Sequence, residues 1–494
     1  MRFDFDSREF LDAELDSAKL AVIGENRVLT WGHFRSEVER LCEYLNSEIG
    51  LGQNAMPVMI YGHKNAEMIV AVYACLRLRI AYIPIDELYP LDRIARVAQI
   101  ADSRLILNCS GSFIQLDGPS QLLIGKSEFI LKNGGFDLKS YSAPRLQKDP
   151  LVYIIFTSGS TGEPKGVQIS NSALITFLDW MTHDFGFTKD DVFLNIAVFS
   201  FDLSVFELMT FGALGATLLL NGRQTLESAD KLLNRIDTYR ATIWVSTPSF
   251  SMLYARDSHV QIRENIGHFL FCGEVLPYSL AKELKKHYPS SRVLNTYGPT
   301  EATVATTLIE IDETILTKYE VLPVGYSKRD SEVVIEDSEI VIYGDNVSVG
   351  YLNREDLNRV KFGIRNGKRF FRTGDLGYIE DGLLFCRGRN DDQIKLRGYR
   401  IELNEITSKL ESLDFVHMAA TIALKRNEEV KKIVSLVVLK FERQGDVRSE
   451  IQELLQQQLP EYMIPSDIKT VESLPLNQNG KIDKSLLPEL YLKG

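Results

Sequence analysis

Apolar residues along this chain follow two rhythms in turn. From about residue 20 to 310, short β-branched runs alternate with stretches of apolar side chains at helical spacing, which predicts layered α/β architecture. Asn65–Leu78 carries the helical spacing, and Ala81–Ile85 then reads as a short buried strand. Leu151–Phe156 is another strand and leads into TSGSTGEPKG. Asn171 reads as a helix cap before Ala173–Met181, while Ile243–Ser246 and His268–Cys272 read as further core strands.

The texture changes after residue 320. Glu332–Ile342 has the pattern of a hairpin, followed by a turn at Gly344-Asp345 and a strand-rich stretch to about Arg387. The polar run GRNDDQIKLRGYR follows, with Gly388 and Gly398. Beyond it come a helix near Leu403–Leu413, strands Met418–Leu424 and Lys432–Lys440, and a helix Ser449–Leu459. A boundary at Asp391–Asp392 separates residues 1–390 from a carboxy-terminal domain of residues 391–494.

Composition narrows the function. At roughly 100–200 residues per domain, 494 residues allow two to four domains with ample core. A hydrophobic fraction of 45% with 25% charged residues excludes disordered and fibrous classes. The net charge of −11 argues against a general nucleic-acid binder, which needs a basic face for phosphates. Five cysteines (Cys42, Cys75, Cys109, Cys272 and Cys386) stand singly, so neither a cysteine zinc knuckle nor a disulfide framework is expected. No signal pattern opens the chain, and the apolar stretch Met68–Leu76 is far shorter than the ~20 residues a bilayer requires. A cytoplasmic protein without membrane insertion is the expectation.

Four stretches carry candidate chemistry. FTSGSTGEPKG (Phe156–Gly166) has the composition of a phosphate cradle: glycines admit backbone N–H groups to an anion, hydroxyls add donors, and Lys165 adds charge. It departs from G-x-x-x-x-G-K-[ST], and a flexible surface loop has the same composition. In NTYGPTE (Asn295–Glu301) an aromatic ring beside a Gly-Pro turn can stack on a heterocycle, and a Thr-Glu pair suits a hard cation; a turn with a half-buried tyrosine is the plain alternative. RTGDLG (Arg372–Gly377) places an aspartate where it can accept from a ribose diol, although turn aspartates are usually only solvated. LPLNQNGKID (Leu474–Asp483) carries Lys481, and most loop lysines are simply exposed.

Taken in order with FDLSV (Phe201–Val205), GYLNR (Gly350–Arg354) and GRNDDQIKLRGYRIEL, these stretches resemble the adenylate-forming superfamily over nearly the whole chain. STPSF (Ser246–Phe250), FCGEVLP (Phe271–Pro277) and NTYGPTEATVA (Asn295–Ala305) are most similar to its amino-acid-activating branch, in particular to the D-alanine–D-alanyl carrier protein ligases. The resemblance implies a large amino-terminal domain of layered α/β sheets with a small β-barrel-like subdomain, plus a small mobile α+β carboxy-terminal domain. It implies ATP and Mg2+, an aminoacyl-adenylate formed with release of pyrophosphate, and transfer to the phosphopantetheine thiol of a carrier protein.

The resemblance also assigns roles. Lys481 would be the catalytic cation, neutralising charge where two anions meet. Thr157, Ser158, Gly159, Ser160, Thr161, Gly162, Lys165 and Thr300 would bind phosphates, and Glu301 the metal ion. Tyr297 would stack on adenine near Gly273, Glu274 and Asn295, with Asp375 and Arg389 on the ribose. Asp202 would hold the substrate ammonium, a natural partner for a buried carboxylate. Its plain alternative is a helix cap, since SFDLSVFELM continues as an amphipathic helix. Asp391 matches the hinge, and Lys395 and Gly398 the face used with the thiol; a turn glycine is the alternative for Gly398.

Cys272, Phe206 and Val304, with Leu270, Thr296 and Ala305, would wall the side-chain pocket; a core cysteine is the plain alternative for Cys272. Phe206 departs from the D-alanyl ligase pattern and favours a small substrate. D-alanine is preferred, although one methyl group is worth only ~1–3 kcal/mol in a pocket. A second departure is LRLRIAYIPID (Leu76–Asp86), where Arg77 and Arg79 replace small residues. Only thirteen residues follow Lys481, so a discrete carrier is expected; the enzyme itself is expected to be a monomer. The alternatives are a free-standing peptide-synthetase-type enzyme for another amino acid, an acyl- or aryl-CoA ligase that Asp202 argues against, and a non-catalytic nucleotide binder.

Overall fold

A computed structural model describes residues 16–493 apart from 52–55, 127, 136–137, 139–148, 160–162, 256–264, 390–392, 427–428, 442, 444, 476–481 and 483. Two compact units emerge. The larger holds the chain up to Glu87 with Ala98–Ile155 and Gly166–Gly388; the smaller gathers Leu88–Val97, Phe156–Lys165 and the chain from Arg389 onward.

Buried β-branched runs pair into two large sheets. In the first, Arg292–Tyr297, His268–Phe271, Ile243–Ser246, Val192–Asn195 and Thr217–Leu220 lie side by side in parallel. These strands are buried almost throughout, as parallel strands covered on both faces are. The antiparallel strand Thr307–Glu310 extends this sheet at Arg292–Tyr297. The second sheet is built around Tyr82–Asp86, Val58–Gly62 and Leu105–Asn108, and includes Leu151–Thr157 and Lys165–Ser170.

Helix Ala66–Leu78 begins at Asn65, whose side chain accepts from Met68 N–H. It ends at Arg79, which holds φ +55°, a left-handed conformation that glycine adopts without strain. Asn171 is the first residue of helix Asn171–Asp184 rather than its cap. Ser170 occupies the cap position, but its side chain bonds Ser172 Oγ rather than a helix N–H, and Asp149 supplies the missing acceptor to Ser172 N–H at 2.8 Å. Helix Ser204–Leu214 is buried on every side from Ser204 to Gly212, so it is not amphipathic: it is an interior helix.

Ser331–Glu336 and Glu339–Gly344 form the expected hairpin. Asp337 and Ser338 take φ +52° and +67°, the left-handed pair that matches a two-residue turn to strand twist. Lys368–Glu380 adds to it, giving an antiparallel sheet with Phe362–Arg365 and Leu383–Arg389.

In the smaller unit, Gln393–Leu396 and Tyr399–Glu402 form a second hairpin. Helices Leu403–Glu411 and Val447–Gln456 pack a core of Ile406, Leu410, Ile451 and Leu455 over the sheet Val416–Arg426, Glu429–Leu439 and Asp467–Thr470. The second helix starts two residues before Ser449 because Asp446 accepts from Ser449 N–H at 3.2 Å. Among the described residues no helix is long and apolar enough to cross a membrane.

Candidate active site

Strands His268–Phe271 and Arg292–Tyr297 run in parallel with Phe271 opposite Asn295. Their carboxyl ends release Cys272-Gly273 and Gly298–Thr300 at the edge where open α/β sheets bind ligands. Gly273 holds φ +92°; an added Cβ would meet only ordinary contacts with Thr247 and Phe201, so its backbone conformation, not space, calls for glycine. Glu274 accepts from Ser249 N–H at 3.0 Å.

The NTYGPTE segment offers a nucleotide several matched groups. Asn295 is buried; its amide donates to the Pro323 carbonyl at 2.8 Å, while its Oδ1 is enclosed without a hydrogen bond. An enclosed acceptor of this kind suits an exocyclic amine. The Tyr297 hydroxyl donates to Asp375 Oδ2 at 2.6 Å, and burial, followed by Asp375, pushes its pKa well above the ordinary tyrosine value. Thr373 Oγ1 accepts from Asp375 N–H at 3.0 Å and donates to the Ile340 carbonyl. Asp375 is thereby fixed next to the ring that the resemblance assigns to adenine.

Thr300, Glu301 and Ala302 form one 3₁₀ turn. Glu301 is fully buried and accepts from the Tyr351 hydroxyl at 2.6 Å. Thr300 and Glu301, adjacent in this turn, carry a hydroxyl and a carboxylate, donor types that magnesium takes. Among the described residues, no group of three His, Cys, Asp or Glu could by itself hold a metal ion.

The next residues are strained. Thr303 and Val304 take φ +52° and +69°, and the latter is an outlier for a β-branched side chain. Asn346, buried and not anticipated from the sequence, staples this turn: its amide donates to the Ala302 carbonyl and to Thr306 Oγ1, each at 3.0 Å, and its own carbonyl accepts from Thr303 Oγ1 at 2.7 Å. Cys272 Sγ lies 3.9 Å from the Val304 carbonyl, so two of the expected pocket-wall residues touch. Thr296 donates to the Phe271 carbonyl at 2.8 Å; Leu270 and Ala305 are fully buried.

Asp202 is 7% exposed just before helix Ser204–Leu214. The cap position belongs to Leu203 and carries no side-chain bond, so Asp202 is not the capping aspartate. Tyr153, another residue the sequence did not single out, has a buried hydroxyl with no hydrogen bond; burial, Tyr82 and Asp202 all push its pKa well up. The Phe206 ring is fully buried, edge-on to Phe177 at 5.3 Å and 6.4 Å from Phe185. It therefore bears directly on the packing of helix Asn171–Asp184.

The loop assigned to phosphates belongs to the smaller unit. Thr157 Oγ1 reaches the Lys165 carbonyl at 3.5 Å. Ser158 Oγ donates to the Arg400 carbonyl at 2.8 Å and accepts from Glu402 N–H at 3.1 Å. Gly159 N–H donates to Glu405 Oε2 at 3.0 Å, and Lys165 Nζ lies 3.1 Å from Glu402 Oε1. Arg93, 2.8 Å from Glu405, closes the network. Burial works against its guanidinium charge, but Glu405 prevails and holds its pKa above the ordinary arginine value. Arg400 and Glu402 lie within GRNDDQIKLRGYRIEL but carry no role expected from the sequence, and Arg93 and Glu405 lie outside the sequence motifs.

Arg389 ends strand Leu383–Arg389, and Lys395 pairs opposite Arg400. Gly398 follows Arg397 in a two-residue turn, at φ +85° and +51° respectively, so it has a structural reason to be glycine. Ser160, Thr161, Gly162, Asp391 and Lys481 lie outside the described residues.

Residues 12–352 match the AMP-binding enzyme family, and residues 405–481 match the AMP-binding enzyme C-terminal domain. A D-alanine–D-alanyl carrier protein ligase of Bacillus licheniformis is 38% identical over 493 residues, covering 97% of each chain. Among solved structures, an NRPS protein with adenylation and PCP domains, PA1221, has 25% identity and a TM-score of 0.81 over 96% of this chain and 81% of its own. The Vibrio cholerae adenylation domain AlmE, in complex with glycyl-adenosine-5'-phosphate, shares the fold with a TM-score of 0.80 at 20% identity, over 100% and 99% of the two chains. The motifs, the fold and near-full-length identity agree: this chain belongs to the AMP-binding enzyme family and is one of its AMP-forming ligases.

Proposed function

We propose that the chain activates a small amino acid, D-alanine in the first place, with ATP and Mg2+, and passes it to the phosphopantetheine thiol of a separate carrier protein. In the first step a carboxylate oxygen bonds to the α-phosphorus of ATP as the bond to pyrophosphate breaks. In the second, the thiol sulfur bonds to the acyl carbon, AMP leaves, and the thiol proton passes to solvent.

The observation that carries this reading is the near-full-length similarity to a D-alanine–D-alanyl carrier protein ligase, in a chain that buries Asp202 at the start of helix Ser204–Leu214 and brings Cys272 and Val304 into contact. The Asp202 carboxylate would face the ammonium of an amino acid, a natural partner for a buried negative charge. The name of the Bacillus licheniformis relative supports D-alanine and a carrier. The groups around Asn295, Tyr297 and Asp375 would hold adenosine, Thr300 and Glu301 the metal ion, Ser158, Gly159 and Lys165 the departing phosphates, and Lys481 the charge at the reacting centre. Smaller-unit rotation about Asp391 would then present Lys395 and Gly398 to the thiol. A cytoplasmic monomer is the accompanying inference: ATP and reduced thiols are available there, and the five cysteines form no disulfide.

Pyrophosphate exchange against a panel of D- and L-amino acids, glycine and simple carboxylic acids tests the reading. D-alanine should give the largest kcat/KM. Asp202→Asn should reduce exchange by about 100-fold or more through the KM for amino acid, because a charge-assisted bond is lost and a substrate ammonium is left buried. Faster exchange with an acid that has no amine would refute it. Strongest exchange with glycine would point instead to a peptide-synthetase-type enzyme, for which the bulk of Phe206 is the supporting observation.

A further inference from the structure

Residues 298–306 join the antiparallel strands Arg292–Tyr297 and Thr307–Glu310, and this one loop carries both the Thr300-Glu301 pair and Val304. Its base is closed by Thr306 N–H, which donates to the Tyr297 carbonyl at 2.7 Å. Its far end is strained, with Thr303 at φ +52° and Val304 at φ +69°. Two β-branched residues in succession hold such a conformation only where surrounding contacts over-determine it.

Asn346 supplies those contacts from outside the loop. It is fully buried, and each polar group of its side chain is used. Nδ2 donates to the Ala302 carbonyl and to Thr306 Oγ1, each at 3.0 Å, and Oδ1 accepts from Ser331 Oγ at 2.7 Å. The backbone carbonyl of Asn346 accepts from Thr303 Oγ1 at 2.7 Å. The strained pair is therefore pinned on both sides, at Ala302 before it and at Thr306 after it. Gly344, at φ +148°, leaves room for the amide, since a Cβ there would fall 2.7 Å from Asn346 Oδ1. Ser348 N–H ties the same segment to the Glu301 carbonyl at 2.8 Å.

We infer that Asn346 is a positioning residue that sets the size of amino-acid side chain the ligase accepts, by holding Val304 in its strained place. The inference rests on the reading of Cys272 and Val304, 3.9 Å apart from sulfur to carbonyl, as the wall of the side-chain pocket. Without the amide, Thr303 and Val304 relax toward ordinary negative φ. A wall free to shift admits a longer side chain and fits the methyl group of alanine less closely. One methylene is discriminated by roughly 10- to 200-fold in a fitted pocket, so loosening the wall removes a measurable share of that selectivity.

Pyrophosphate exchange tests this on the full chain, with D-alanine and D-2-aminobutyrate, one methylene longer, each varied at saturating ATP. In Asn346→Ala the ratio of kcat/KM for D-alanine to that for D-2-aminobutyrate should fall about tenfold, with the KM for ATP changed by less than about threefold. An equal loss for both amino acids, an unchanged ratio or a higher one overturns the inference, because a merely structural role scales both substrates alike. Val304→Ala separates the inference from the reading beneath it. If Val304→Ala shifts the ratio and Asn346→Ala does not, the role of Asn346 alone fails; if neither shifts it, the pocket-wall reading fails and the inference with it. Should Asn346→Ala not fold, Thr306→Val decides, since it keeps the shape and removes one acceptor of the amide. A fall in the ratio of about threefold then supports the inference, and an unchanged or higher ratio overturns it.

Discussion

Lys165 Nζ lies 3.1 Å from Glu402 Oε1, and each side chain is only 7% exposed. The same carboxylate oxygen accepts from Gln393 Nε2 at 2.7 Å, while Glu405 accepts from Gly159 N–H nearby. Two donors that the phosphate reading needs, Lys165 Nζ and Gly159 N–H, are thus engaged by carboxylates of the smaller unit, while Ser158 Oγ donates to the Arg400 carbonyl. Carboxylate and phosphate present the same kind of oxygen to an ammonium, so they compete for it. Glu402→Gln should lower the KM for pyrophosphate in exchange by about tenfold, equivalent to ~1.4 kcal/mol for removing one charged competitor. Exchange kinetics at varied pyrophosphate checks this, and an unchanged KM would show that the pair does not oppose phosphate binding.

The Tyr297–Asp375 bond gives a second prediction. Removing the hydroxyl keeps the ring but takes away one charge-assisted bond, of a kind worth ~1.5–3 kcal/mol. Tyr297→Phe should raise the KM for ATP about 10- to 100-fold while leaving the KM for the amino acid nearly unchanged. Initial rates with each substrate varied in turn distinguish this from a general loss of folding.

Gly298 is required by space. A Cβ built there would fall 2.5 Å from Ala305 Cα, a backbone atom that cannot step aside. Gly298→Ala must therefore push the strained Thr303–Val304 turn out of place. Exchange activity should drop at least 100-fold, since misplacement of about 1 Å costs that much, with far-ultraviolet circular dichroism unchanged. Retained activity would show that the turn does not position substrate.

Lys328 makes stability depend on pH in a defined direction. Its pKa falls from 10.5 to about 7 on folding. Between those values the unfolded chain holds a proton that the native state has released, so this group's contribution to stability rises with pH by up to ~1.4 kcal/mol per unit. Lys328→Met lacks the effect. Denaturant unfolding of both proteins from pH 7 to 9.5 should find the variant's advantage greatest at pH 7 and shrinking steadily above it.

Local chemistry was legible in the sequence wherever the interacting residues are close along the chain. The helical spacing after Asn65, the hairpin around Asp337-Ser338 and the strand leading into TSGSTGEPKG all depend on residues within a few positions of one another. The family motifs were legible for the same reason. Where a partner comes from far away, the local reading failed: Asp149, twenty-two residues upstream of Asn171, supplies what looked like that residue's cap. The apolar run after Asp202 resembled an amphipathic helix, but its surroundings bury every side of it.

The sequence by itself determined the element types, the order of the motifs and membership of the AMP-binding enzymes, because periodicity, turn chemistry and contiguous strings survive without coordinates. Only the tertiary structure decided that Asn346 staples the strained Thr303–Val304 turn, that the phosphate loop joins the unit holding Glu402 and Glu405, and that Lys328 is buried without an acceptor. Those facts depend on which distant segments meet and on which groups water no longer reaches, and burial and long-range pairing arise only when the chain has folded.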